Sequence, residues 1–470
     1  MPKVEAGQPV RKSRAQRAIA LIVTTSTAVI VGALTGLGAA TVTAEPLTPQ
    51  VDPFYQPPAG YESQAPGSIL RSREMHFLAA VTELPLKVQV WQLLYRTTDL
   101  HGEPESAVTT VLLPWGATPD KNRPLLSYET FYDSTNTACA PSYVLQQQNL
   151  LEGVAGGQTN IELMAITAGL TKGWAVSIPD HEGPHGHLGV DKEPGYISLD
   201  GIRAAEQFAP LGLAGKDTPV GVWGYSGGGM AGGWTAEMQP AYAPELNIKG
   251  VALGGPVPDL RAVLHVNGSL AASVIGIGIA SLQTAYPKFG AVMDTYLTPE
   301  GRTKMETIRS RCLIPNVILD AFTDYQRYFT IPIPQLLEVP DIKETFDAVT
   351  LGNNNPGMPM YVYQAALDEI VPPATTDKMV EQYCAGGTPV QYQRDHLSEH
   401  TLLATYGMSG ALNWLKARFE PNSPTPVGCH TEDQLSTFLN PDNDITQLQI
   451  WFDTARAALG LPVEPLFGPN

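Results

Sequence analysis

Gly224-Tyr225-Ser226-Gly227-Gly228 follows Pro219-Val220-Gly221-Val222-Trp223 and precedes Gly229-Met230-Ala231-Gly232-Gly233-Trp234. A Gly-x-Ser-x-Gly string alone says little in a chain with 44 glycines. Its flanks say more. An apolar, β-branched run stops at the serine, and small residues able to open a helix follow, which is the strand–turn–helix setting of an elbow serine. The glycines have a physical role there. A serine at so sharp a turn is held in a strained backbone conformation, and a Cβ two residues to either side would meet a neighbouring strand or helix.

Working outward, strands and helices alternate on both sides of this elbow. Leu86–Arg96, Ala107–Leu113, Arg123–Tyr128 and Gly173–Pro179 read as strands, and Leu199–Phe208 as the helix leading into the serine strand. Ile248–Leu253, Met358–Ala365 and Val390–Arg394 continue the series. Mostly apolar strand runs alternating with helices imply an α/β class, with a mostly parallel central sheet covered on both faces. From about Pro258 to Gly357 the rhythm breaks into helical patterns without a buried strand. Its stretch Leu270–Ala285 is almost uncharged, and is expected to be an inserted cap or lid over an apolar pocket; a space-filling helical subdomain is the alternative.

The expected organisation is therefore a signal peptide over 1–44, an N-terminal arm over 45–85 and a first core part over 86–257. A cap over 258–357, a second core part over 358–430 and a C-terminal tail over 431–470 complete it. The basic stretch Arg11, Lys12, Arg14 and Arg17, the uncharged run Ala18–Ala44 and the small-residue site Val42-Thr43-Ala44 carry the first assignment. An uncleaved anchor is the alternative, since the run could span a bilayer. Its many Thr, Gly and Ala residues make it a poor permanent anchor, so no stable membrane span is expected after cleavage.

The chain has 470 residues, 43% of them hydrophobic and 16% charged, enough for a large core. Its net charge of −17 argues against nucleic acid and anionic membranes as partners. A secreted or cell-envelope location with a neutral substrate fits, and the chain is expected to act as a monomer. Cys139, Cys312, Cys384 and Cys429 form an even set in an exported chain, which suggests two disulfides. Three pairings are open; Cys384–Cys429 is favoured, with Cys139–Cys312 as its complement.

A serine hydroxyl is a weak nucleophile and needs a base, itself oriented by a carboxylate. When the elbow is used this way, the acid and then the histidine follow the serine in the chain. The run Met358–Leu367 leads into Asp368-Glu369-Ile370-Val371-Pro372, the expected strand followed by an acid in a turn. Asp368 is first off the strand and Glu369 is its runner-up. Among His396, His400 and His430, His400 lies in a loop just before the last long helix and is the preferred base. An oxyanion hole needs two backbone N–H groups. Gly227 supplies one, and the loop around Tyr132-Asp133-Ser134 the other. A rival constellation, Asp180, His181, Glu182, His185 and His187, has ligand-capable side chains, but its prolines and glycines favour a plain rigid loop over a metal site. Neither metal nor cofactor is expected.

Several strings are more specific than the elbow. They are Trp91–Thr98, Tyr132-Asp133 with Cys139-Ala140-Pro141-Ser142-Tyr143, Pro179–Pro184, Leu199–Ala204 and Asp368–Pro372. With the elbow, they make the chain resemble the secretory lipase family of fungi and actinobacteria, over about residues 50–430. The resemblance implies an α/β-hydrolase fold with a helical lid and a Ser226, Asp368, His400 triad. It also implies an oxyanion hole at Asp133 and Gly227, and cleavage of triacylglycerols and other carboxylic esters at a lipid interface. It makes Asp180–Pro184 a structural motif. An acyltransferase or a short-chain esterase or deacetylase with the same triad is the alternative, and a non-catalytic binding protein a third.

Overall fold

The computed structural model describes residues 46–77, 85–146 and 159–465; the expected signal peptide lies outside them. The frame is one ten-stranded sheet in the order β1-β2-β3-β5-β4-β6-β7-β8-β9-β10. Its strands are β1 Ile69–Met75, β2 Gln89–Thr98, β3 Pro104–Leu113, β4 Leu125–Glu129, β5 Ala175–Pro179, β6 Val220–Tyr225, β7 Ile248–Gly254, β8 Met360–Ala365, β9 Val390–Asp395 and β10 Cys429–Gln434. The first three and β5 pair antiparallel in turn, and every pair from β5 through β4 to β10 is parallel. Central strands β4, β5, β6 and β8 are buried at every position, as expected of parallel strands covered on both faces.

Two apolar layers sandwich this sheet. On one face, side chains such as Leu93, Val111, Val222 and Val362 pack with helices α2 Glu193–Gln207 and α3 Gly227–Tyr242. On the other, Leu126, Val176, Trp223 and Tyr361 pack with α1 Thr159–Thr171 and the later helix Met408–Phe419. Because the strands run parallel, the C-terminal ends of β4, β6, β8 and β9 meet along one edge. Thr130–Ser134, Ser226, Asp368 and His400 all follow such ends. This edge is where an open α/β sheet places its ligands.

The sheet is wider at both margins than the sequence reading expects. Residues 45–85 read as an N-terminal arm and 431–470 as a tail, yet Ile69–Met75 pairs with β2 and Cys429–Gln434 with β9. The boundaries at 85/86 and 430/431 therefore need correction, the second falling inside a strand. The physical reason is shared. Both are edge strands, half solvated and rich in charged or polar residues, which is how edges avoid pairing with other chains. Such strands carry no hydrophobic signature. Past β10, the helix Pro441–Ala458 lies against α1, burying Gln447 and Ile450.

Between β7 and β8 the chain is helical, from the turn Leu260–Val266 through α4 Ser273–Ala285, α5 Pro287–Tyr296 and α6 Pro299–Arg309 to Pro340–Ala348. The uncharged α4 forms this region's own core. Ile275, Ile277 and Leu282 are each 1% exposed and join Phe289, Met293, Met305, Ile308 and Tyr325. Gly276 lets α4 come close, since a Cβ there would stand 2.4 Å from Ile308 Cδ1 and from the Tyr325 hydroxyl. A helix apolar on most sides is buried in a core.

Two disulfides close the molecule, Cys139–Cys312 and Cys384–Cys429. The first ties the chain beyond β4 to the helical insertion, and the second holds edge strand β10.

Candidate active site

Ser226 stands between β6 and α3 with φ 53° and ψ −120°, a region that side-chain-bearing residues avoid. Its surroundings fix it there. The Ser226 N–H donates to the Gly254 carbonyl at 2.8 Å, and the Ser226 carbonyl accepts from Met230 N–H at 2.9 Å. The flanking glycines are needed because backbone fills the space. A Cβ at Gly224 would lie 2.1 Å from the Gly228 carbonyl oxygen, and one at Gly228 would lie 2.0 Å from that of Glu129.

Asp368 follows β8 and is 8% exposed. Its Oδ1 accepts the N–H groups of Ile370 (3.0 Å) and Val371 (2.6 Å), and its Oδ2 accepts from Gln364 Nε2 (2.7 Å). The same Oδ2 lies 2.7 Å from His400 Nδ1, and His400 Nε2 lies 2.9 Å from Ser226 Oγ. His400 opens the short helix His400–Tyr406, whose first turn is capped by the Glu399 carboxylate. The Tyr225 hydroxyl donates to the His400 carbonyl at 2.5 Å. Burial draws the His400 pKa down, but the hydrogen bond and charge of Asp368 push it up harder, helped by Glu369 and Asp133, and the net shift is upward.

The runners-up stand elsewhere. The exposed Glu369 accepts the backbone N–H of His400 at 2.9 Å. His396 turns to Asp433 of β10 (2.7 Å), and His430 is an exposed residue of β10.

Asp133 and Gly227 come together beside the serine. Asp133 takes φ 36°, and its Oδ1 would be 1.9 Å from a Cβ on Gly227. The residue is half-buried, but that oxygen is shut off from solvent. Burial pushes its carboxyl up to about 7, against the pull of His400 and of its own backbone N–H.

The rival constellation spends its side chains on the protein. Asp180 accepts from Ser142 N–H (2.9 Å) and Ser142 Oγ (2.5 Å), and His181 Nε2 reaches the Thr130 carbonyl at 2.7 Å. Glu182 accepts Ser134 N–H (3.2 Å), while His185 and His187 face Glu105 and Glu193. His181 and Glu182 brace the loop after β4. The sequence motif is visible to anyone, but that loop as its target is not, because Thr130 and His181 are 51 residues apart in the chain.

Known proteins resemble this chain in sequence and in fold. Residues 147–426 match the model of the family described as secretory lipase. The chain is 41% identical to a probable inactive lipase of Mycobacterium tuberculosis, over 80% of this chain and 83% of that protein. It is 36% identical to lipase A of Arthroderma benhamiae, over 89% of this chain and 90% of the relative. Its fold is similar to the X-ray structure of Candida antarctica lipase A in its closed state, with a TM-score of 0.77 and 26% identity, covering 90% of this chain and 99% of that one. The α/β-hydrolase fold is thereby established.

Proposed function

This chain belongs to the secretory lipase family, and on that premise we propose that it is a secreted serine carboxylic-ester hydrolase whose substrates are triacylglycerols. One observation carries the reading: Ser226 Oγ, His400 and Asp368 form an unbroken hydrogen-bonded relay with links of 2.9 and 2.7 Å. Ser226 Oγ attacks the ester carbonyl while His400 Nε2 takes its proton, and Asp368 steadies the imidazolium. Charge gathers on the former carbonyl oxygen, where backbone N–H groups of Gly227 and Asp133 receive it. The tetrahedral adduct collapses, His400 hands its proton to the leaving alcohol, and an acyl-Ser226 remains. Water, deprotonated by His400, then releases the fatty acid and restores the serine. The helical insertion acts as the lid over this site. Since α4 fills the insertion's own core, selection of the acyl chain falls to the residues lining its underside and the edge of the sheet.

A relative named inactive does not make this chain inactive, because activity depends on three side chains and here His400 is hydrogen-bonded to both Ser226 and Asp368. Ser226→Ala and His400→Ala are tested on a p-nitrophenyl ester and on emulsified triacylglycerol. Loss of at least about 1,000-fold in kcat is expected for each. Undiminished hydrolysis by Ser226→Ala would falsify the assignment. Supplying a lipid alcohol distinguishes the alternative activity: free fatty acid marks a hydrolase and a new ester an acyltransferase.

A further inference from the structure

The backbone that turns at Asp133 is gripped on both sides by buried carboxyl groups. Glu162 Oε1, from α1, accepts the Phe131 N–H at 2.8 Å, and Glu182 Oε2, from the loop after β5, accepts the Ser134 N–H at 3.2 Å. The two glutamates are 0% and 1% exposed. Glu182 also donates its own N–H to the Tyr132 hydroxyl at 2.7 Å, and His181 holds the Thr130 carbonyl at 2.7 Å. Residues 130, 131, 132 and 134 are thus each anchored, and the residue between the last two anchors is Asp133, at φ 36°. A non-glycine residue keeps such a φ only where its neighbours over-determine it.

We propose that Glu162 and Glu182 are positioning residues for the oxyanion hole: by holding the N–H groups of Phe131 and Ser134, they aim the backbone N–H of Asp133 at the oxygen that becomes charged. This rests on the reading of Ser226 as nucleophile given above. Neither glutamate takes part by contact with substrate; both act through the backbone they hold. Their chemistry suits the task. Burial raises both carboxyls well above the ordinary range, which favours their neutral form. A neutral carboxyl accepts the loop N–H without setting a negative charge beside a developing oxyanion. An ionised one in this low-dielectric setting would oppose the charge it is meant to help stabilise. Leucine of similar size would fill the core without gripping the loop. Glutamine would grip it as well as the neutral acid does.

The test compares full-length Glu162→Gln, Glu182→Gln, Glu162→Leu and Glu182→Leu on a soluble p-nitrophenyl ester, with active sites counted by a fluorophosphonate label. The leucine variants are expected to lose about 10- to 100-fold in kcat with KM held within about threefold, while the glutamine variants stay within about threefold in both. Affinity for a boronic acid, whose tetrahedral adduct puts an oxygen into the hole, should fall in step with kcat. If a leucine variant does not fold, Glu182→Asp, one methylene too short to reach Ser134, replaces it, with the same kcat loss expected. Unchanged kcat in the folded leucine or aspartate variants overturns the proposal, and so do glutamine variants as slow as leucine. Failure of the label to modify Ser226 in the wild type sinks the nucleophile assignment instead, so the two failures are separable.

Discussion

The carboxylate of Glu369 accepts the backbone N–H of His400 at 2.9 Å, while its neighbour Asp368 holds the ring of that histidine at 2.7 Å. Two adjacent acids thus serve one residue in different ways. Asp368 sets which ring nitrogen carries the proton and stabilises the imidazolium. Glu369, exposed to solvent, helps seat the helix that begins at His400 and adds a smaller upward push to the histidine pKa. Asp368→Asn should therefore lower kcat by about 10,000-fold with the fold intact. Glu369→Gln, which keeps an acceptor oxygen, should stay within about threefold and Glu369→Ala within about tenfold. Steady-state kinetics on a soluble ester checks both, and a Glu369→Gln loss matching that of Asp368→Asn would exchange their roles.

Activity and stability should pull apart with pH. The base must be neutral to accept the serine proton, and its pKa stands above the ordinary 6.5 because Asp368 outweighs the effect of burial. The acid limb of kcat/KM is therefore expected above pH 6.5, in a pH–rate profile of the free enzyme. Stability has the opposite slope. Glu129, Asp133 and Asp180 are each pushed up to about 7, chiefly by burial. The fold keeps their protons while the unfolded chain gives them up near an ordinary carboxyl value of about 4, so stability falls as pH rises from about 4 to 7. His181, held down to about 4 by burial, works in the other direction up to about pH 6.5. Three groups outweigh one. Calorimetry should find a higher Tm at pH 5 than at pH 8; the reverse order would contradict this account.

Much of the site can be read from the sequence because catalysis by an elbow serine constrains order and spacing. Ser226 and Asp368 each stand just after a strand whose apolar run is unmistakable, His400 stands just before a long helix, and parallel strands bring such positions together. The residues that sequence reading misses lie where that logic stops. Strands β1 and β10 are polar because they are edges, so their patterns resemble loops. Glu162 reads as one acid in an ordinary helix, and nothing local to it signals that it is buried or that Phe131 is its partner. The uncharged run Leu270–Ala285 signals burial correctly, but not the surface it is buried against. Ile275, Ile277 and Leu282 turn inward to the insertion's own core, where a reading aimed at substrate would turn them toward the serine. Periodicity gives a helix its apolar character and leaves its neighbour unstated.

Two glycines separate the constrained backbone from the permissive. At Gly228 a Cβ would be 2.0 Å from the Glu129 carbonyl oxygen, 2.7 Å from its carbon and 3.0 Å from the carbonyl carbon of Thr130. These are backbone atoms at the end of β4, so no rotamer change relieves the clash, and α3 must shift away from the strand that leads to Asp133. Gly228→Ala should cost on the order of 3 kcal/mol or more and abolish measurable activity, since a displacement of about 1 Å at the serine already costs about 100-fold. Gly278, inside α4, is the contrasting case: an added Cβ meets no atom within 4 Å outside the local helix backbone. Gly278→Ala removes the entropic cost of a mid-helix glycine and should stabilise by about 0.5–1 kcal/mol, raising Tm by about 1–3 °C. Its kcat on a soluble ester should be unchanged. Thermal melts and kinetics on the two variants decide the matter: an active, stable Gly228→Ala would show that the elbow can relax, and a Gly278→Ala that loses stability would show that α4 packs more tightly at that point than its open surroundings indicate.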